Sequence, residues 1–116
     1  MPVIFKRLAL LVRAHIDQLS WQAVTFAILT HMLVTWLLLY AANEQALTSI
    51  TTFFYYYTVT TSTVGYGDFS PTTELGRWVV ALIQIPFGLA LFGVLLGKAG
   101  QTVTYLIRHA MTGDKD

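Results

Sequence analysis

The sequence predicts an all-α membrane protein, with two membrane-crossing helices and a re-entrant segment between them, and three observations carry that prediction. Hydrophobic residues make up 55% of the chain and charged residues 11%, against about 25% charged in soluble globular domains. So few charges cannot solvate the surface of a small domain, so much of that surface is expected to face lipid. Residues 23–42 and 78–97 contain no Asp, Glu, Lys or Arg, and each run is as long as the roughly 20 residues a bilayer core requires. Basic residues flank the pair on one side: Lys6, Arg7 and Arg13 precede the first run, Lys98, Arg108 and Lys115 follow the second, and only Arg77 stands between. By the positive-inside rule both termini are cytoplasmic, in a multi-pass protein of the plasma membrane. A net charge of +1 without a basic, aromatic-interleaved stripe argues against nucleic acid as a partner. The absence of cysteine rules out a disulfide framework or a thiolate metal site.

Residues 1–21 are expected to form an amphipathic helix on the inner leaflet, because Ile4, Leu8, Leu11, Val12, Ile16 and Leu19 recur at helical spacing while Lys6, Arg7, Arg13 and Asp17 fall elsewhere. The outer helix follows at about 22–43; it is too long for a signal peptide and lacks a small-residue cleavage site. Residues 46–66 are also uncharged, yet nine of them are Ser or Thr. A third crossing there would carry the C-terminal basic residues to the wrong side. The segment is therefore re-entrant, and non-helical backbone at membrane depth is tolerated only where protein buries it or water lines it. Its run from Thr51 to Thr60 is rich in β-branched and aromatic residues, a strand signal in a soluble protein. An unpaired strand in lipid would leave its amides unsatisfied, so a short helix at about 49–61 is predicted instead, capped by Thr48 or Ser49. An inner helix is predicted at about 77–108 and a cytoplasmic tail at 109–116.

A dehydrated cation needs a shell of oxygens, and no acidic residue in the spans supplies one. In Thr63-Val64-Gly65-Tyr66-Gly67 the glycines permit positive φ, and such alternation turns successive carbonyls toward one axis, with the Thr63 hydroxyl at the inner end. Here the chain resembles the potassium-channel family, in its two-helix pore module of prokaryotic type, whose TVGYG loop forms an ion filter from backbone carbonyls. The resemblance spans residues 23 to about 108 and rests on the run Thr60-Thr61-Ser62-Thr63-Val64-Gly65-Tyr66-Gly67-Asp68 followed by Pro71. It implies a homotetrameric pore in the lipid bilayer, passing potassium ions bound by oxygens of Thr63, Val64, Gly65 and Tyr66. It also implies support behind the filter from Gly67, from Tyr66 held by Tyr56 and Thr60, and from Asp68 held by Tyr55. Val59 stands where some two-helix relatives carry a glutamate paired with the filter aspartate, so entry into the non-conducting state attributed to that pair is expected to be weak or differently driven. Tyr57 reads as an aromatic of the membrane interface.

Along the inner helix, Pro86 and Gly88 are the hinge candidates, with a local insertion or π-bulge beside Pro86 absorbing a one-residue offset from the family pattern. Phe92 and Leu96 are the candidates for a hydrophobic constriction, and Gly93 and Gly97 form a small-xxx-small pair suited to close packing. His31, in mid-span, is expected to be neutral and bonded to a nearby carbonyl or hydroxyl. No nucleophile and base are suggested by spacing, so no enzyme is expected and no organic cofactor. The alternatives are a non-selective cation channel, against which Tyr66 speaks, and a pore module excised from a larger regulated potassium channel, whose cytoplasmic regulatory domain would lie outside this sequence.

Overall fold

The computed structural model describes residues 2–113; Lys115 and the end of the expected 109–116 tail lie outside the described residues. Helix α1 is Val3–Gln18, α2 is Trp21–Ala41 and α3 is Ile50–Thr61. A 3-10 turn, Gln45–Leu47, precedes α3. The last helix, α4, runs Glu74–Thr112 in three stretches: α-helical Glu74–Val79, π-helical Val80–Gln84 and α-helical Ile85–Thr112. Among the described residues there is no strand. At 1.5 Å per residue α2 is about 32 Å long, a match to a hydrocarbon core of about 30 Å, and α4 about 58 Å. Both are long and apolar enough to cross a membrane.

Each helix starts and stops for a local reason. Ser20 accepts the Ala23 N–H at 3.1 Å and caps α2, so α1 ends at Gln18 and Leu19 is its extended C-cap rather than a helical position. At the far end of α2, Asn43 takes φ 62°. The Asn43 and Glu44 N–H groups then donate to the Tyr40 and Leu39 carbonyls at 3.1 and 3.0 Å, the paired bonds of a Schellman motif. Ser49 occupies the N-cap of α3 but its side chain makes no capping bond. Thr73 does cap α4, accepting the Gly76 N–H at 3.0 Å; the helix therefore begins three residues before the expected Arg77, and it continues past Arg108 to Thr112.

The core lies where α2, α3 and the start of α4 meet: Leu39, Leu47, Phe53, Tyr56, Tyr57, Val79 and Val80 are buried together, with Met32, Trp36 and Leu38 against them. Trp36 Nε1 donates to the Thr48 carbonyl at 2.9 Å, fixing the approach to α3. Tyr57 is 4% exposed, so it is a core residue and not the interfacial aromatic the sequence suggested; its hydroxyl has a half-buried partner, described below. At the opposite end, the Lys98 ammonium lies 5.3 Å from the Trp21 ring centroid, a cation–π contact. Helix α1 contributes no buried residue, and its apolar side chains, Ile4, Leu8, Leu11 and Val12 among them, are exposed.

The π stretch sits directly before Pro86. A proline ring crowds the carbonyl four residues back and brings no N–H, and widening the preceding turn relieves both problems. Accordingly the Ile85 N–H reaches five residues back, to the Val80 carbonyl. Gly88, two residues further, is buried, and a Cβ there would come within 2.8 Å of Thr61 Cγ2 and 3.0 Å of His31 Cε1. Close approach of three helices therefore requires glycine at this position, a reason independent of any hinge.

Candidate ion-binding filter

Helix α3 ends by pointing into the segment that the sequence singles out. Ser62 is its C-cap, and Thr63, Gly65 and Gly67 have φ 71°, 62° and 76°, whereas Val64 and Tyr66 are not in the positive region. Strict alternation over five residues is what aligns successive carbonyls on one side of a strand. Two of the three positive positions are glycine, which adopts φ > 0 freely. Thr63 is β-branched and adopts it at a cost of about 1–2 kcal/mol, strain that the sequence pattern does not reveal and that is typical of functional backbone.

The last turn of α3 holds the segment by its main chain. The Thr63 N–H donates to the Thr60 carbonyl at 3.2 Å, and the Gly65 N–H to the Val59 carbonyl at 3.0 Å. Val59 thus supports the segment through its backbone oxygen, a role indifferent to its side chain. At the outer end, the Tyr55 hydroxyl donates to Asp68 Oδ2 at 2.8 Å, Asp68 Oδ1 accepts the Phe69 N–H at 3.1 Å, and the Tyr55 and Phe69 rings meet edge to face at 6.0 Å. The structure therefore brings Tyr55 and Asp68 together. Within this single chain it does not bring Tyr56 to Tyr66: the Tyr56 hydroxyl donates instead to Gln84 Oε1 at 3.0 Å, on the π stretch of α4. Tyr66 is 72% exposed and Val64 is exposed as well.

Three features behind the segment escaped the sequence reading in whole or part. Glu44 is 2% exposed, and its carboxylate sits over the start of α4. Its Oε1 accepts the Thr73 N–H at 2.7 Å and the Thr73 hydroxyl at 2.7 Å. The Thr72 N–H is shared between the two oxygens at 2.9 and 3.1 Å. Burial pushes this carboxyl up, and the bonds from Thr73 and Thr72 more than offset it, leaving it below the usual carboxylate range. Gly76 makes room for it, because a Cβ there would collide with Glu44 Oε1 and lie 2.8 Å from Cδ and Cγ. Second, His31 Nε2 lies 3.3 Å from the Ile83 carbonyl and Nδ1 2.6 Å from the Tyr57 hydroxyl. A carbonyl only accepts, so Nε2 donates to Ile83, while Nδ1 shares a hydrogen with the Tyr57 hydroxyl. The expected carbonyl or hydroxyl partner is in fact one of each. Third, Gln84 is fully buried. Its signal was available: an amide inside an otherwise apolar span has to find a partner.

Further along α4, Phe92 is partly exposed and Leu96 exposed. A Cβ on Gly93 would meet open space, and one on Gly97 would touch Ile16 of α1 at 3.8 Å. Among the described residues no three His, Cys, Asp or Glu side chains are grouped to hold a metal ion.

No curated protein and no solved structure matched the chain. The family model described as ion channel matches residues 22–105, from the first turn of α2 through the filter segment and most of α4, and the chain belongs to that ion channel family.

Proposed function

We propose that the chain is one subunit of a homotetrameric, passive, potassium-selective channel, with both termini on the cytoplasmic side of the cell membrane. The observation that carries this reading is the alternation of positive φ at Thr63, Gly65 and Gly67, at the end of a re-entrant helix flanked by two spans. Such a strand offers carbonyls from Thr63, Val64, Gly65 and Tyr66 in a row, plus the Thr63 hydroxyl. One strand is a quarter of a coordination shell; four around a closed symmetry axis complete it. The exposure of Val64 and Tyr66 in the single chain supports neighbours at this position.

In this reading a potassium ion is the cargo, and each filter site replaces its water with carbonyl oxygens held at fixed separation. The C-terminal ends of four α3 helices direct partial negative charge below the filter, which favours a cation before it sheds its water. Tyr55 and Asp68 brace the outer end, and the Val59 carbonyl restrains the middle. Pro86 and Gly88 remain the proposed flexing point of α4, with Phe92 and Leu96 the proposed constriction. The test is reconstitution of the whole chain in liposomes, with rubidium, caesium and sodium uptake measured separately. Rubidium uptake well above sodium uptake is the expected result, and equal uptake of both would refute selectivity.

A further inference from the structure

Helices α1 and α4 approach one another at Ile16 and Gly97, where a Cβ on the glycine would lie 3.8 Å from Ile16 Cδ1. Beside that contact they leave a cavity of about 610 Å³. Arg13 and Asp17 line it from α1, and Gln101, Tyr105 and Arg108 from α4. Gly100 shares the α4 wall, and a Cβ there would meet open space. The cavity sits where the apolar runs end. Lys98, the first charge after residues 78–97, lies over the Trp21 ring at the start of α2, and Gln101 is four residues past Gly97, about 6 Å along the helix. That is the depth of a phospholipid headgroup layer, roughly 5–8 Å on each side of the hydrocarbon.

The walls are rich in donors. Two guanidiniums, the Gln101 amide and the Tyr105 hydroxyl can all donate, and the oxygens of a phosphodiester only accept, a match that arginine makes with two parallel bonds. Among the described residues neither Arg13 nor Arg108 has a carboxylate within ion-pair distance, and Asp17 is the one acidic residue in the stretches 1–43 and 75–113. Two cations and one carboxylate leave the cavity with one excess positive charge, the complement of one phosphodiester. An ethanolamine or choline headgroup brings its own cation and forgoes that complement. Asp17 can in turn accept a bond from a headgroup hydroxyl. Ile4, Phe5, Leu8 and Leu11 of α1 are exposed, an apolar body suited to lie among acyl chains beside the cavity. We propose that this cavity binds an anionic phospholipid with a hydroxyl-bearing headgroup, Arg13 and Arg108 holding its phosphate between α1 and α4 and Asp17 accepting from its hydroxyl. The proposal rests on the two membrane spans, and on neither the filter nor potassium selectivity. The bound lipid ties α1 to α4 just past the proposed constriction, since Leu96 also borders the cavity.

The experiment is lipid titration of the purified whole chain in neutral detergent, with the bound fraction read by native mass spectrometry. The wild type is expected to bind phosphatidylglycerol about tenfold more tightly than phosphatidylcholine, and about threefold more tightly than phosphatidylmethanol, which has the same charge and no headgroup hydroxyl. Arg13→Gln and Arg108→Gln should each weaken phosphatidylglycerol binding about three- to tenfold, the scale of one basic side chain at an anionic surface. Arg7→Gln, on α1 but outside the cavity, should change it less than about twofold, and Asp17→Ala should abolish the preference over phosphatidylmethanol. All four positions are exposed, so helix content by circular dichroism should match the wild type. Equal losses in Arg7→Gln and Arg13→Gln would mean diffuse attraction to a basic surface and overturn the site. Displacement of the lipid by an equal concentration of inorganic phosphate would assign the cavity to a soluble anion and overturn the lipid. Equal binding of phosphatidylglycerol and phosphatidylmethanol by the wild type would overturn the role of Asp17. A protein that alkaline carbonate washes from vesicles refutes the two spans themselves.

Discussion

Replacing Glu44 by glutamine keeps the shape of the side chain and removes its charge over the start of α4. In the wild type, Oε1 receives the Thr73 N–H and hydroxyl, both at 2.7 Å, and shares the Thr72 N–H with Oε2. With the Thr72 hydroxyl 3.4 Å from Oε2, four donors converge on one carboxylate. A glutamine has one acceptor oxygen, and its amide nitrogen would then face the Thr72 N–H, donor against donor. Charge-assisted bonds contribute about 1.5–3 kcal/mol each and neutral ones about 0.5–1.5. A loss of about 1 kcal/mol on each of the three shorter contacts, those of the Thr73 N–H, the Thr73 hydroxyl and the Thr72 N–H, gives about 3 kcal/mol of destabilisation. That is a fall of roughly 10 °C or more in the unfolding midpoint by the scaling of small domains, read by circular dichroism in detergent. The pH dependence has a definite sign. Because the folded-state pKa of Glu44 is lowered, its contribution is fully present above the unfolded carboxylate pKa and is lost as pH falls through the lower folded value. The acid arm of the wild-type stability curve should therefore flatten in Glu44→Gln. A variant within about 0.5 kcal/mol of wild type, with an unchanged acid arm, would mean that the carboxylate does not anchor the start of α4.

Gly76→Ala tests the same contact from the other side: its Cβ collides with the Glu44 carboxylate, so a cost of about 1–3 kcal/mol is expected, largely relieved when Glu44 is also alanine. Gly67→Ala meets no neighbour within 4 Å, so its effect is backbone strain alone, about 1–2 kcal/mol at φ 76°. Selective rubidium uptake should fall at least tenfold while helix content by circular dichroism is retained. Gly88→Ala places a methyl 2.8 Å from Thr61 Cγ2 and should lower the unfolding midpoint, with partial recovery in Thr61→Ser, which lacks that methyl. Tyr57→Phe leaves His31 Nδ1 without its hydroxyl partner and should cost about 1–3 kcal/mol by the same denaturation assay.

Much of this architecture is legible in one sequence because it is written in local pattern. The two long apolar helices follow from charge-free length, the short helix α3 from amides that lipid cannot satisfy, and the alternating positive φ at Gly65 and Gly67 from glycines two residues apart. The bulge beside Pro86 follows from the clash that a proline creates one turn back. What is not legible is which helix faces meet. Tyr57 belongs to a run of three tyrosines, and nothing in the run tells which one faces Asp68, which Gln84 and which His31. Glu44 and Gly76 lie 32 positions apart by their numbers, and only the Schellman turn at Asn43 aims the carboxylate at α4. Thr63 at positive φ breaks the rule that such positions take glycine, and no propensity argument finds it.

The polar groups whose partners the sequence does not name share a physical character. Glu44, His31 and Gln84 are polar groups that the fold buries in whole or part, and each bonds to a different element from its own: the start of α4, a tyrosine of α3 with a carbonyl of α4, and a tyrosine of α3. Such groups add little by propensity to the helix that carries them, and leaving them unpaired is expensive. They therefore fix how α2, α3 and α4 are set against one another, which apolar contacts alone do less selectively. In this chain the two mid-span members of the set, His31 and Gln84, both engage the π stretch, through Ile83 and through Gln84 itself. Any straightening of that turn has to break or re-aim bonds to Tyr57 and Tyr56, the buried tyrosines of the helix that leads into residues 63–67. A rearrangement of α4 at Pro86 is consequently coupled to α3 by hydrogen bonds as well as by packing, and Tyr56→Phe combined with Tyr57→Phe should loosen that coupling. Hydrogen exchange at the amides of residues 63–67 measures it. Faster exchange at Gly65 with slow exchange retained in the middle of α2 is the expected pattern, and uniform acceleration would mean that the two hydroxyls serve only overall stability.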